Sequence, residues 1–144
     1  MPIERLTQRS VPRPWGREEW VVHTADYSGK LLYYTAGQCG GLQYHVLKDE
    51  TFMVLSGRCI LRYDDGGGYL SSVELGPGDA VRFPPFAVHQ VEAITDVTGI
   101  EWSTPHENDR VRVEERYGVP VAEGSGETTW EIDWRGQHVR RVVE

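Results

Sequence analysis

The feature that most narrows the fold is a succession of short apolar and aromatic runs, at residues 20–22, 31–35, 42–46, 52–55, 60–63, 69–75, 80–83, 88–94 and 99–102. The pieces between them carry Tyr27-Ser28-Gly29, Gly37, Gly40-Gly41, Asp64-Asp65-Gly66-Gly67-Gly68 and Gly76-Pro77-Gly78, which are turn chemistries rather than helix caps. Asp65-Gly66 is the strongest hairpin signal among them. No window sustains the apolar period of a helix, so the chain reads as all-β, a sandwich or small barrel. Such a barrel encloses a pocket, and each strand sends alternate side chains into it.

Residues 41–57, GLQYHVLKDETFMVLSG, gather Gln43, His45 and Glu50 before a turn glycine. In an extended chain, side chains at i and i+2 share a face, so Gln43 and His45 project together while Tyr44 points away. Glu50 heads the next apolar run, which ends at Ser56-Gly57. A fourth donor lies downstream in PGDAVRFPPFAVHQV, where His89 opens a strand after Pro84-Pro85. A lone histidine in a β-rich chain is usually a surface or hydrogen-bonded residue. Here the order and spacing of the donors set them apart.

That order resembles the two motifs of the cupin superfamily. The first is a glycine, a His-x-His pair, a glutamate and a later glycine, which Glu50 and Gly57 fit; the second is Pro-Gly-Asp, a proline and a histidine, matched by Pro77-Gly78-Asp79, Pro84 and His89. Gln43 stands where most cupins have the first histidine, and cupin phosphomannose isomerases use Gln-x-His there. The likeness extends through Arg13-Pro14-Trp15-Gly16, Gly29-Lys30, Lys48-Asp49-Glu50, Val54-Leu55-Ser56-Gly57, Ile100-Glu101 and residues 109–118, in the order of the type II phosphomannose isomerase domain. The resemblance implies a jelly-roll barrel and a divalent metal held by Gln43, His45, Glu50 and His89. Zinc is the first expectation, with manganese, iron, nickel or cobalt as other fits. It also implies a pocket for a sugar or sugar phosphate such as mannose 6-phosphate. Three positions depart from that domain: Leu47 replaces a further histidine, Phe86 the glycine of the second motif, and Val119 a terminal arginine.

One carboxylate among neutral ligands leaves a divalent ion with net positive charge, able to polarise a carbonyl or hydroxyl oxygen. Aldose–ketose interconversion also needs a base and a cation for developing charge. Glu101, Lys48 and Arg112 are the candidates for base, oxyanion partner and phosphate anchor. Two other readings stand beside the isomerase: an iron-dependent oxygenase, which Gln43 disfavours because imidazole suits redox iron better than an amide oxygen, and a sugar-binding or regulatory module without chemistry.

The 144 residues suit one domain, and a formal charge of −7 with scattered Lys and Arg disfavours a nucleic-acid surface. No stretch is long and apolar enough for a membrane, and the polar, proline-rich start argues against a signal peptide, so a cytoplasmic protein is expected. Cys39 and Cys59 read as reduced packing residues. Residues 1–14 read as an extended arm, 15–119 as the barrel, and 120–144 as a tail containing a hairpin around Arg135-Gly136. The charge-dense stretch that follows Trp102 suggests a short turn or helix. A homodimer is expected, because arm and tail offer strand edges that a small barrel leaves open.

Overall fold

The computed structural model describes residues 1–122 and 127–141. Each apolar run lies in a strand or overlaps one. The strands are β1 (Arg9–Arg13), β2 (Gly16–His23), β3 (Ser28–Tyr34), β4 (Gln43–His45), β5 (Glu50–Ser56), β6 (Cys59–Asp64), β7 (Leu70–Leu75), β8 (Ala80–Phe83), β9 (His89–Ala93), β10 (Val97–Ser103), β11 (Arg110–Arg112), β12 (Trp130–Ile132) and β13 (His138–Arg140). A six-stranded sheet runs β1-β2-β3-β10-β5-β8, a five-stranded sheet runs β11-β4-β9-β6-β7, and β12 and β13 form a separate hairpin. All the strand pairings are antiparallel. This is the all-β architecture that the turn-bounded runs imply, in the jelly-roll form that the resemblance added.

Alternation along the strands decides what faces inward. On β5, Glu50, Phe52 and Val54 are buried on one face; on β3 the matching set is Ser28, Lys30 and Leu32. Both strands therefore begin polar and become apolar along the same face. The apolar ends meet in a core that includes Trp15, Leu32, Phe52, Val54, Leu61, Leu75, Phe83, Val91 and Val97. The polar ends surround the cavity described below.

A second core lies on the other face of β4. Leu42, Tyr44, Val88, Val111 and Val113 are buried there, with Tyr117, Val119 and Trp130 packed against them. The C-terminal segment covers that face: Thr129 N–H donates to Arg110 O, and Tyr44 Oη lies 2.9 Å from His138 Nε2. The part of the tail at residues 123–126 and 142–144 lies outside the described residues.

Two segments differ from expectation. Within the N-terminal arm, residues 9–13 form an edge strand on β2, a place where Pro12 is tolerated because an edge position need not donate to a ladder. The charged stretch following Trp102 holds a strand, β11, as well as a four-residue helix, α1 (Glu114–Tyr117). Burial of Val111 and Val113 outweighs the flanking charge.

Gly57 is needed for its backbone. Its φ is +87°, and a Cβ there would sit 2.0 Å from Asp96 O. Gly78, with φ +90°, has nothing within 4 Å. Gly78→Ala is expected to cost about 1–2 kcal/mol of left-handed strain, and Gly57→Ala about 1–3 kcal/mol more because the backbone must also shift. Urea unfolding of the two variants checks this ordering; equal midpoints would refute it.

Candidate metal centre

Three short strands meet at the polar end of the barrel. Gln43 and His45 project from β4, Glu50 opens β5, and His89 opens β9 with its Cα in register with Gln43. His89 Nε2 lies 3.1 Å and His45 Nε2 3.9 Å from Glu50 Oε1. One donor atom from each of His45, Glu50 and His89 falls within 4.8 Å of the others.

The far nitrogens fix the proton positions. His45 Nδ1 lies 2.8 Å from Asp109 Oδ1, and His89 Nδ1 lies 2.9 Å from the Ala87 carbonyl oxygen. Both partners are acceptors, so each neutral ring carries its proton on Nδ1 and presents an Nε2 lone pair to Glu50. Gln43 Oε1 is buried beside them without a hydrogen-bond donor among the described residues. Two lone pairs, a carboxylate and an unpaired amide oxygen repel one another unless a cation sits among them. The donor set therefore fits a divalent ion of borderline hardness. The ring of Phe83, stacked on His89 at 3.9 Å, holds that imidazole in place.

Asp109 was not evident from sequence. It is 2% exposed, and its second oxygen accepts the N–H groups of Leu47 and Lys48 at 2.8 and 2.7 Å. Burial alone would raise its pKa, but its bond to His45 and the two backbone donors hold it below the usual range. Burial lowers the pKa of His45, only partly opposed by Asp109. Carboxylate, histidine and metal in line are a recurring means of orienting a ligand.

Lys48 and Glu101 also reach the cavity. Lys48 Nζ lies 3.0 Å from Glu50 Oε2 and 3.3 Å from Glu101 Oε2, with its side chain 8% exposed. The contact with Glu50 Oε2 lacks hydrogen-bond alignment, so it acts as an ion pair. Burial would lower the Lys48 pKa, yet the two carboxylates raise it above normal. Glu50 is pulled the other way: burial opposes its charge, but Lys48, His89 and His45 hold it well below the usual range. Burial, opposed by Lys48 and reinforced by Glu50, pushes Glu101 up to about 7.

Arg112 does not join them. It lies on β11, its Nη2 2.6 Å and Nε 3.1 Å from Oε1 of the buried Glu114, and the cavity is lined instead by Arg110 and Arg13. Arg112, the expected phosphate anchor, thus has its guanidinium turned to the Glu114 carboxylate. Leu47, where the phosphomannose isomerase domain has a histidine, is 47% exposed, so that departure leaves the donor group intact. Phe86 adopts φ +72°, the backbone its glycine counterpart would favour.

The cavity has a volume of about 290 Å³. That is near the lower end of small-molecule sites, roughly 300–1,000 Å³. Glu18, Trp20 and Lys30 line it as well. The clearest missed signal is Lys30, a charge on the same strand face as Leu32 and Tyr34.

The cupin domain model matches residues 31–106, just over half of the chain. The chain thus belongs to the cupin family. A comparison with curated protein sequences finds no match. Among solved structures, it is similar to the capsular polysaccharide assembling protein CapF from Staphylococcus aureus, with TM-score 0.66 and 19% identity over 75% of this chain and 32% of that one. It is similar to KdgF from Halomonas sp. at TM-score 0.61 and 22% identity, over 71% of this chain and 90% of that one. Oxalate decarboxylase from Bacillus subtilis, whose Mn(II) centres have been characterised, matches at TM-score 0.64 and 15% identity, over 78% and 35%. The chain thus spans about a third of the length of CapF and of that decarboxylase. At these identities the likeness is one of fold.

His45→Ala, His89→Ala and Glu50→Gln are expected to lose bound metal at neutral pH, whereas water can replace the amide in Gln43→Ala. Asp109→Asn should weaken metal binding by about 10–100-fold. Because protons compete with a metal for the same donors, lowering the pH should release metal from the unaltered protein. Elemental analysis after dialysis, with circular dichroism for folding, checks each variant. Full occupancy in a folded His45→Ala, His89→Ala double variant would overturn the assignment.

Proposed function

We propose that this cupin is a metal-dependent isomerase of a small sugar phosphate, with mannose 6-phosphate as the first candidate and zinc as the first metal. The observation carrying the reading is Lys48, set between the ligand Glu50 and the cavity carboxylate Glu101. A divalent ion held by Gln43, His45, Glu50 and His89 would draw electron density from a carbonyl or hydroxyl oxygen. Glu101 then takes a proton from the carbon beside the carbonyl and returns it to the former carbonyl carbon, a hydroxyl proton passes from one oxygen to the other, and Lys48 stabilises the oxygen that gains charge. Burial of both groups keeps water from competing.

The likeness to CapF, a capsular polysaccharide assembling protein, supports a carbohydrate setting. A sugar-binding module without turnover is the second reading, favoured by Arg112, whose guanidinium is directed to Glu114. A homodimer is proposed through the edge strand β1 and the arm before it. Light scattering of the full chain and of a chain lacking residues 1–8 tests that; a monomer in both cases would remove it.

Glu101→Gln keeps shape but removes the base. It should lower isomerisation by about 10²–10⁴-fold at unchanged metal content. Interconversion of mannose 6-phosphate and fructose 6-phosphate, followed by chromatography, is the assay. Binding of the sugar phosphate with no conversion would favour the second reading, and neither binding nor conversion would remove both.

A further inference from the structure

The inward face of the six-stranded sheet carries a row of charged residues extending away from the metal group. Register places Glu101 opposite Lys30 and Lys30 opposite Trp20. Lys30 Nζ lies 3.8 Å from Glu101 Oε2 and 3.9 Å from Glu18 Oε2, and Arg13 ends the row 3.3 Å from the same Glu18 oxygen. All of them line the one cavity.

Lys30 differs from Lys48 in how closely its carboxylates approach. Lys48 meets its two at 3.0 and 3.3 Å. Lys30 is equally buried, its side chain 9% exposed, yet its nearest carboxylate oxygen is 3.8 Å away and no acceptor among the described residues hydrogen-bonds its ammonium. It rests on the Trp20 ring, 3.9 Å from the centroid, while Trp20 Nε1 donates to Glu18. An ammonium has three donors, and those of Lys30 open on the cavity rather than being sealed in protein. Lys30 helps to hold Glu18 and Glu101 ionised, together with Arg13 and Lys48, but at 3.9 and 3.8 Å it spends no N–H donor on either.

We propose that Lys30, seated on Trp20, binds an anionic oxygen group of the ligand, carboxylate or phosphate, in a subsite beside the metal group. The inference deepens the reading of the cavity as a sugar-phosphate site and supplies the anion contact that Arg112 does not make. Charge agrees. Glu18, Glu50, Glu101 and Glu107 line the cavity against Arg13, Lys30, Lys48 and Arg110, so with all of them ionised a divalent ion leaves an excess of positive charge for a ligand anion to offset. The cation–π seat holds the ammonium without using its N–H donors, which stay available for charge-assisted bonds.

The test is calorimetry on metal-loaded protein with acetate, inorganic phosphate, mannose 6-phosphate and mannose as probes, comparing the unaltered chain with Lys30→Met, Lys30→Gln and Lys30→Arg. Loss of the ammonium should weaken binding of the anions at least tenfold, with metal content, unfolding midpoint and affinity for mannose unchanged. Lys30→Arg should restore most of the loss. The acetate and phosphate arms tell which anion the subsite prefers. Unchanged anion affinity in Lys30→Met, or no binding of any anion to the unaltered protein, would overturn the proposal. So would loss of fold or metal in both Lys30→Met and Lys30→Gln, which would mark a structural lysine. Acetate or phosphate bound through Lys30, with no mannose 6-phosphate conversion, would leave the subsite standing and remove only the isomerase.

Discussion

His45 and His89 each donate an Nδ1–H hydrogen bond, to Asp109 and to the Ala87 carbonyl, and the rest of the site follows from that commitment. Once those protons are placed, the Nε2 lone pairs converge on Glu50 in an arrangement that suits a divalent cation. Asp109 can serve because its other oxygen collects the N–H groups of Leu47 and Lys48. The turn between β4 and β5 is thus wound on the same carboxylate that orients the histidine. Hydrophobic packing holds that carboxylate in place, since buried Val111 and Tyr44 fasten β11 to β4.

Strand alternation places a polar site above an apolar core without a separate domain. Along β5 the inward face runs from Glu50 to Phe52 and Val54, and along β3 from Lys30 to Leu32 and Tyr34. The charges so buried are tolerated because each carboxylate meets a cation, Lys48 reaching between Glu50 and Glu101 on the adjacent strands β5 and β10. Such an arrangement adds little net stability over an apolar lining. Its presence is better explained by what the cavity binds, and Lys30, buried with donors to spare, is the clearest sign of it.

Much of this was legible in the sequence because it is local. The i, i+2 spacing of Gln43 and His45, Glu50 at a strand start and His89 after Pro84-Pro85 each depend on a few neighbouring residues, and the structure brings all four together. Asp109 was hidden because its link to His45 spans 64 residues and β11 sits in a charge-rich stretch that masks its alternation. Arg112 misled for a related reason. Its alternation with Arg110 shows that both occupy one face of β11, but only the structure shows its guanidinium meeting Glu114. The edge strand β1 was obscured by prolines that forbid a helix but permit an edge.

The central claim is that His45, Glu50 and His89, with Gln43, hold one divalent ion. Anomalous diffraction at the metal edge from crystals grown with zinc addresses it most directly. The account predicts a single peak inside the barrel, about 2.0–2.2 Å from both Nε2 atoms and a Glu50 oxygen, with Gln43 Oε1 or a water completing the set. A peak elsewhere, or ordered density at the site with no anomalous signal at full zinc loading, would contradict it.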